Sequence, residues 1–168
     1  MSLGKEIIGP FNDQIKSEFM ASAQYIAIAA YFDDIGLKEL AQFFYVQSDE
    51  ERMHALKFAR FMLETEVKPT IPGVPELKND FDSPAEAVQF ALEQERKVTD
   101  QINNLVNISI SSGDHASNSF LQWFVAEQVE EVDTMNTLLQ TIKLAGDNLL
   151  LVEDFVRRNP QHEGGTGE

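Results

Sequence analysis

The sequence predicts an all-α protein: a four-helix bundle with up-down, crossover, up-down topology, followed by a short fifth helix. Four long segments carry apolar residues at alternating steps of three and four, which is the period of a helix with one buried face. Short links containing glycine join the first segment to the second and the third to the fourth, so each pair is expected to pack antiparallel. A longer proline-rich stretch separates the two pairs.

The first two helices are predicted over residues of about 4–34 and 37–66. Pro10 lies within the first two turns, so it is expected either to kink the first helix or to move its start to about residue 9. Gly36 marks the end of the first helix. Its buried face contains Ile8, Phe11, Ile15, Glu18, Ser22, Tyr25, Ala29 and Phe32. The buried face of the second contains Leu40, Phe44, Gln47, Glu51, His54, Phe58 and Phe61.

The stretch from residue 67 to residue 82 holds half of the prolines and shows no helical period. At about 3.3 Å per residue, its roughly 16 residues can span about 50 Å, whereas a helix of about 28 residues rises only about 42 Å. This connector can therefore run back along the preceding helix. The second and third helices are expected to be parallel.

The third helix has a well-marked start, because Ser83, Pro84 and Glu86 match the N-cap, first-turn proline and N3 positions of a capping box. Gly113 marks its end. Its buried face contains Val88, Ala91, Glu95, Val98, Ile102, Leu105 and Ser109.

The fourth helix is predicted to begin at Asp114 or His115 and to end at Gly146. Its buried face contains Leu121, Phe124, Gln128, Glu131, Met135, Leu138 and Ile142. A fifth helix of about 148–158 is too apolar to be solvated, so we expect it to be buried between subunits or on its own bundle. We expect one domain over residues 1–158 and a disordered tail over residues 159–168.

Composition limits the classes of function. The chain has 168 residues, 43% of them hydrophobic, which suits one domain with a sizeable core. Its 13 basic and 28 acidic residues give a net charge of -15, which argues against a nucleic-acid partner and favours attraction of cations. With no cysteine, any metal must be bound through oxygen and nitrogen. No apolar run approaches a membrane span and the N-terminus lacks the apolar core of a signal peptide, so we predict a cytoplasmic protein.

Each of the four buried faces is interrupted by charge near its midpoint. Glu51 and His54 are three residues apart, so a carboxylate and an imidazole project from one face of a helix and can reach one metal ion. Each central glutamate lies about 11 to 17 residues from the start of its helix, which brings all four to nearly the same height in the predicted bundle. The meeting residues would be Glu18, Glu51, His54, Glu95 and Glu131, with Gln128 beside them.

Such a cluster is difficult to explain without a metal. A single glutamate on a helix is usually a solvated surface residue, but burying an unpaired carboxylate costs several kcal/mol. A metal ion is one of the few partners that can hold several carboxylates ionised in one place. The sequence therefore predicts an oxygen-rich site for two ions, suited to iron or manganese and able to bridge them through one carboxylate.

The same residues resemble those of the bacterial non-haem ferritins, and the resemblance covers about residues 5–158. It rests on Glu18 with Tyr25 seven residues later, Glu50-Glu51-x-x-His54, Glu95 within Leu92-Glu93-Gln94-Glu95, and the run from Trp123 to Glu131. The resemblance implies an iron-storage protein that oxidises Fe(II) with oxygen or hydrogen peroxide and deposits a ferric mineral. It also implies a hollow shell of 24 chains with the fifth helix at the four-fold axes.

The resemblance also assigns roles to residues. Glu18, Glu51 and His54 would hold a first iron, and Glu51 would bridge to a second iron held also by Glu95 and Glu131. An acidic third iron site would consist of Glu50, Glu127 and Glu130. Gln128 would support the ligands without binding iron. Tyr25 would be an electron donor beside the first iron, or a core aromatic residue hydrogen-bonded to one of the carboxylates.

Two departures distinguish the sequence from related di-iron proteins. The fourth helix carries Glu130 and Glu131 where bacterioferritins and di-iron oxygenases have a second Glu-x-x-His motif. The haem-binding methionine of bacterioferritins follows the first-motif glutamate directly, but here that position is Arg52, and Met53 lies about 100° further round the helix. Haem is therefore not expected.

Two other classes of function remain open from the residues. One is a di-iron or di-manganese oxygenase or peroxidase acting on an organic substrate, against which the missing second histidine argues. The other is a non-catalytic four-helix interaction domain, which would leave Glu18, Glu95 and Glu131 on buried faces unexplained. Particle size and iron retention distinguish all three, because only the storage protein should form a particle of several hundred kDa that retains thousands of iron atoms.

Overall fold

The structure, a computed structural model, describes residues 3–161 and contains within them five α-helices and no strand. The helices are α1 (Lys5–Asp34), α2 (Lys38–Glu64), α3 (Pro84–Ser111), α4 (His115–Ala145) and α5 (Leu150–Arg158). This confirms the predicted fold class, and every boundary lies within about two residues of its predicted place. In this part of the chain, no helix has the length and apolar character needed to cross a membrane. Of the predicted disordered tail, residues 162–168 lie outside the described residues. Residues 159–161 are instead held on the bundle: Asn159 Nδ2 donates to the carbonyl of Phe155 at 2.8 Å, and Gln47 Nε2 donates to Oε1 of Gln161.

Helix α1 begins at Lys5 and continues through Pro10, so the alternative start at residue 9 is wrong. Proline removes the N–H that would bond the carbonyl of Glu6, but that loss falls in the second turn of a 30-residue helix. The residue before a proline normally avoids helical geometry because its Cβ meets the proline ring. Here that residue is Gly9, which has no Cβ. The pair is therefore tolerated inside the helix.

Three helices end in the same hydrogen-bonded motif. After α1 and α3, Gly36 and Gly113 adopt φ values of 85° and 68°, as expected of the glycines that mark these ends. After α2, Glu66 takes this role with φ of 65°, although it is not glycine. The N–H of Val67 then donates to the carbonyl of Met62 at 2.8 Å, which closes the last turn. The sequence has no glycine after α2 that could have marked the end of this helix.

The starts of α3 and α4 are capped by side chains. Ser83 Oγ accepts from the N–H of Glu86 at 3.1 Å, as predicted, while the Glu86 carboxylate accepts from the N–H of Asp82 at 2.6 Å. Asp114 accepts from the N–H of Ser117 at 3.0 Å and also from the N–H of Gly4 at 3.1 Å. The same carboxylate therefore caps α4 and fixes the residue that precedes α1.

The connector runs along α1 for nearly its whole length. The N–H of Thr70 donates to Asn12 near the start of α1 at 2.7 Å, and the side chain of Gln24 forms two hydrogen bonds with the backbone of Lys78, at 2.6 and 3.0 Å. The ring of Phe81 contacts that of Tyr31 near the end of α1. Helix α3 therefore starts at the same end of the bundle as α2, and the two are parallel as predicted.

Two apolar clusters fill the bundle, one at each end. The cluster near the start of α1 contains Ile7, Phe11, Ile15, Phe58, Met62, Val98, Ile102, Leu105, Leu121 and Phe124, among others. The cluster at the other end contains Ile28, Phe32, Leu40, Phe44, Val88, Leu92, Met135 and Leu138, among others. Between them, at mid-height, lie Glu18, Glu51, His54, Glu95, Gln128 and Glu131, which we call the polar layer.

Helices α2 and α4 are the widest-spaced neighbours around the polar layer. Helix α1 packs closely on α2, and α3 on α4, but no Cα of α2 lies within 8 Å of one in α4 across the described residues. On one side of the polar layer, the stacked rings of Phe61 and Phe120 and the tilted rings of Phe58 and Phe124 fill the space. On the other side a cavity remains, and α5 packs against both helices beside it.

Candidate metal centre

The polar layer is buried as completely as the apolar core. Glu18 and Glu95 are 0% exposed, and none of its six residues exceeds 4%. The three-residue spacing in α2 brings Nδ1 of His54 to 3.4 Å from Oε2 of Glu51. Because all four helices contribute one glutamate at this height, the structure brings together every residue of the predicted di-iron cluster.

Carboxylate oxygens and imidazole nitrogens in this layer come close enough to share metal ions. Glu18, Glu51 and His54 form one set of candidate ligand atoms that all lie within 4.8 Å of one another, and Glu51, Glu95 and Glu131 form another. Glu51 belongs to both sets. A carboxylate shared by two sets could bridge two ions, and the oxygen-rich donors suit iron or manganese.

Two serines set the register of α1 against α2. Ser22 Oγ donates to the carbonyl of Ser48 at 2.7 Å, and Ser48 Oγ donates to the carbonyl of Ser22 at 2.8 Å. These reciprocal bonds lie one turn after Glu18 and one turn before Glu51. Because sliding either helix would break both bonds, the serines hold the two carboxylates at one height. Ser22 was expected on the buried face, but nothing in the sequence identified Ser48 as its partner.

Neighbouring side chains hold the carboxylates in place. Tyr25 donates its hydroxyl to Oε1 of Glu95, and Gln128 Nε2 donates to Oε2 and to the backbone carbonyl of the same residue, each at 3.2 Å. Gln14 Nε2 donates to Oε1 of Glu18 at 2.7 Å. The hydrogen bond of Tyr25 matches the interpretation of a core aromatic residue that orients a carboxylate. Sequence reasoning missed Gln14, although its place one turn before Glu18 on the same helix could have indicated it.

Two buried carboxylate oxygens in the cluster accept from no N–H or hydroxyl group of the described residues. They are Oε2 of Glu18 and Oε1 of Glu51, which belong to one of the two ligand sets. An orphaned carboxylate oxygen is costly in the interior of a protein, and a cation is the partner whose charge offsets that cost. The unpartnered oxygens are therefore the direct sign that this cluster fits a metal ion.

Without a metal, the cluster holds protons. Burial, reinforced by the charge of Glu95, raises the pKa of Glu18 to about 7, although hydrogen bonds with Glu51 and Gln14 offset part of the effect. Burial and neighbouring carboxylates raise the pKa of Glu51 and the pKa of Glu131 well above the usual range. Metal binding must therefore displace protons from these groups.

His54 is neutral at physiological pH. Burial, with a smaller effect from the charge of Lys57, lowers its pKa to about 4. The ring of Trp123 meets that of His54 edge to face at 5.5 Å, and the ammonium of Lys57 lies 3.5 Å above the Trp123 ring. A neutral imidazole has a free lone pair, so His54 is ready to act as a ligand without first losing a proton.

The residues of the predicted third site are on the wall of the cavity between α2 and α4. This cavity has a volume of about 420 Å³ and is lined by Glu50, Glu127, Glu130 and Glu131, with Gln47, Val156 and Gln161 among its other residues. Glu130 is exposed and Glu127 half-buried, and within the described residues Glu127 forms a set of candidate ligands with His54 and Glu131. The cavity therefore joins the polar layer to an acidic mouth.

Comparison with known proteins gives a consistent picture. Residues 10–145 match the family model described as the ferritin-like domain. The chain is 47% identical to ferritin BfrB of Mycolicibacterium smegmatis over 152 residues, covering 90% of this chain and 84% of the relative. It is 35% identical to a bacterial non-heme ferritin of Staphylococcus haemolyticus over 146 residues, covering 87% of this chain and 88% of the relative.

The fold matches solved structures equally well. An open pore ferritin from the hyperthermophilic archaeon Archaeoglobus fulgidus superposes with a TM-score of 0.89 at 33% sequence identity. The match covers 94% of this chain and 97% of that one. The five-helix architecture is thus shared over nearly the whole length of both proteins.

Proposed function

This chain belongs to the ferritin-like family and is an iron-storage protein, and on that premise we propose that its polar layer is a ferroxidase centre. The observation that carries the proposal is the meeting of four buried glutamates and a neutral histidine, with two carboxylate oxygens left unpartnered. Fe(II) is the substrate, and the positive charge of two ions offsets the burial of these carboxylates.

We assign the ligands from the two sets of atoms. Glu18, Glu51 and His54 hold a first iron, and Glu51 bridges to a second iron held also by Glu95 and Glu131. Tyr25 and Gln128 orient Glu95 through their hydrogen bonds. Because Tyr25 is hydrogen-bonded to a ligand of the second iron, it would also be placed to serve as an electron donor.

The reaction moves two electrons. Each of two Fe(II) ions gives one electron to a single oxidant. Oxygen then takes up two protons and leaves as hydrogen peroxide, whereas hydrogen peroxide would take up two protons and leave as two waters. Clustered carboxylates stabilise Fe(III) over Fe(II), so the ligand set favours oxidation. Fe(II) binding displaces protons from the carboxyl groups whose pKa is raised. These protons are then available nearby to the reduced oxidant.

Oxidised iron leaves through the acidic cavity. We propose that Glu50, Glu127 and Glu130 form a third iron site there, from which Fe(III) passes to a mineral core. Burial and the charge of Glu130 raise the pKa of Glu127, which indicates that these carboxylates interact at close range. The proximity of Glu127 to His54 and Glu131 supports a path from the di-iron centre into this site.

Membership of the ferritin-like family supports a proposal about the assembly. We propose a cytoplasmic homo-oligomer of 24 chains that encloses the mineral, with residues 1–158 as one domain. We propose that it binds no haem, because Arg52 follows Glu51 where bacterioferritins have methionine, and Met53 is about half exposed on the outer side of α2. Nucleic acid and membrane are not expected partners of a chain with net charge -15.

The test adds Fe(II) to the metal-free protein in air and follows both oxidation and iron retention on a sizing column. Wild type should oxidise Fe(II) rapidly and elute with its iron as a particle of several hundred kDa, since each chain has a mass of 18.9 kDa. Glu51→Ala and His54→Ala should abolish the rapid phase without unfolding the protein, because they remove ligands from an otherwise apolar bundle core.

Matched controls separate ligand loss from general damage. Glu93→Ala removes an exposed glutamate on α3, and His115→Ala removes an exposed histidine on α4. Both should retain the rapid phase. Wild-type rates in Glu51→Ala or His54→Ala would refute the assigned centre.

A further inference from the structure

Gln14 is a buried polar residue to which the proposed reaction gives no role. Its side chain is 2% exposed, lies one turn before Glu18 on α1, and donates a hydrogen bond from Nε2 to Oε1 of Glu18 at 2.7 Å. Phe11 and Ile15, its close neighbours on the helix, belong to the apolar cluster. A buried amide in such surroundings is costly unless it makes a specific contact.

This hydrogen bond distinguishes the two oxygens of Glu18. Oε1 accepts from the amide of Gln14, whereas Oε2 is buried and, within the described residues, accepts from no amide or hydroxyl group. The last torsion of a glutamate side chain is broad, so without an anchor the carboxylate can turn and offer both oxygens to one ion. An anchor on Oε1 fixes the plane of the carboxylate and uses one lone pair of that oxygen, so it favours binding of the ion through Oε2. Glu95, another glutamate of the polar layer, accepts hydrogen bonds from different side chains, Tyr25 and Gln128.

We propose that Gln14 is a positioning residue that makes Glu18 bind the first Fe(II) through Oε2 alone. The inference rests on the proposed ferroxidase centre and assigns a new residue to it. One-oxygen binding leaves a coordination position that a chelating carboxylate would fill, and an iron that must react with an oxidant needs such an open position. Gln14 touches neither the iron nor the oxidant; it acts through Glu18.

The test uses Co(II) as a probe of the first site in the absence of oxygen. Gln14→Leu keeps a similar size but has no donor, and it suits the neighbouring apolar residues. We expect Co(II) affinity to fall by about tenfold, the usual scale for losing a partner that holds a metal ligand. We also expect weaker visible absorption per bound Co(II), because a second oxygen from Glu18 raises the coordination number. A crystal structure with Co(II) should show one Glu18 oxygen bound in wild type and two in the variant.

A second variant and a matched control keep the result interpretable. Gln14→Asn retains an amide that is one carbon too short to reach Glu18, so it should shift affinity and absorption in the same direction. Gln24→Leu removes another buried amide of α1. The Gln24 side chain is 4% exposed, and within the described residues its hydrogen bonds go to the backbone of Lys78. That control should alter stability and leave the Co(II) spectrum unchanged.

The outcomes separate this inference from the proposed function. If wild type binds no Co(II) in the polar layer, the ferroxidase centre itself is wrong. If wild type binds Co(II) there but Gln14→Leu matches it in affinity and spectrum, the centre stands and the role of Gln14 is wrong. Equal changes in Gln14→Leu and Gln24→Leu would also overturn the role, because they would show a general effect of losing a buried amide.

Discussion

Glu51 connects the two halves of the polar layer, since its carboxylate belongs to both sets of candidate ligands. The same position makes it unfavourable in the metal-free protein: burial and the charges of Glu95 and Glu18 raise its pKa well above the ordinary range. Folding without metal then requires either uptake of a proton or burial of a charge. The Glu51 carboxylate therefore suits metal binding but lowers the stability of the metal-free protein.

This conflict predicts a pH-dependent gain in stability for Glu51→Gln in the metal-free protein. A carboxyl whose folded pKa is raised contributes stability that is present below the unfolded value of about 4.5 and is lost as pH rises through the folded value. Glutamine mimics the protonated form at every pH. We expect the variant to be more stable than wild type by roughly 1 to 4 kcal/mol at pH 8 and nearly equal at pH 4.

Chemical denaturation of the two metal-free proteins at both pH values measures this difference. His54 has the opposite sign, since its lowered pKa makes stability fall as pH drops from about 6.5 to about 4, but it is common to both proteins and cancels. Glu93→Gln, which makes the same substitution at an exposed glutamate of α3, is the matched control. A variant less stable than wild type at pH 8 would contradict the assigned cost of the buried carboxylate.

The proposed third site predicts a different kinetic signature from that of the proposed di-iron ligands. Glu130→Ala, or Glu127→Ala, should change the ratio of iron oxidised to oxygen consumed and slow repeated turnover. The first fast oxidation should persist, because Glu18, Glu51, His54 and Glu95 remain in place. Oxygen-electrode and stopped-flow measurements on the same sample give both quantities. Equal loss of the fast phase in Glu130→Ala and Glu51→Ala would show that the two sites have been divided wrongly.

Among the elements, α5 is attached more specifically than its apolar sequence indicated. The sequence left two places for α5, between subunits or on its own bundle. Val152 and Val156 are buried on the chain's own bundle. The carboxylate of Glu153 accepts from the backbone N–H groups of Glu39 and Leu40 at 3.2 and 2.9 Å. Helix α2 has no side-chain cap of its own at this end, so α5 provides one.

Truncation after Gly146 tests what α5 contributes. Every proposed iron ligand precedes it, so the shortened chain should fold and oxidise Fe(II). The lost cap of α2 should lower stability by about 0.5 to 2 kcal/mol. Leu150 and Leu151 are 75% and 57% exposed in the single chain, which suits contact with other subunits, so the truncated shell should leak or lose mineral.

The readouts are the initial oxidation rate and the iron retained per particle after gel filtration. Glu153→Gln is the matched variant, since it keeps the length of α5 and weakens only the cap on α2. A truncated protein that keeps a full mineral core would show that α5 is not needed for closure. A truncated protein that cannot oxidise iron at all would mean that the centre depends on assembly.

The sequence was sufficient for the elements because their boundaries depend on local chemistry. Individual residues mark these boundaries: Gly36 and Gly113 mark helix ends, and Ser83-Pro84 with Glu86 marks the start of α3. The observed boundaries lie close to the predicted ones. Partners that meet across helices could not be read in this way. The bonds between Ser22 and Ser48, and between Glu153 and α2, join residues far apart in the chain, and no local pattern encodes them.

At the scale of the whole molecule, a polar layer divides the bundle core between two apolar clusters. The height of each glutamate along its helix was predictable, because rise per residue and topology determine it. The uneven spacing of the helices was not: α2 and α4 stand apart beside the polar layer, and this opens the acidic cavity. The width of that gap depends on side chains from several elements together, including α5.

The most direct test of the central claim is a titration of the metal-free protein with Fe(II), mixed rapidly with oxygen at each ratio. If the polar layer is a ferroxidase centre, the amplitude of the fast oxidation phase should rise linearly and saturate at about two Fe(II) per chain. The fast phase should be absent in Glu51→Ala, which removes the shared ligand, and normal in Glu93→Ala. A fast phase that shows no saturation near two Fe(II) per chain, or that survives in Glu51→Ala, would contradict the account.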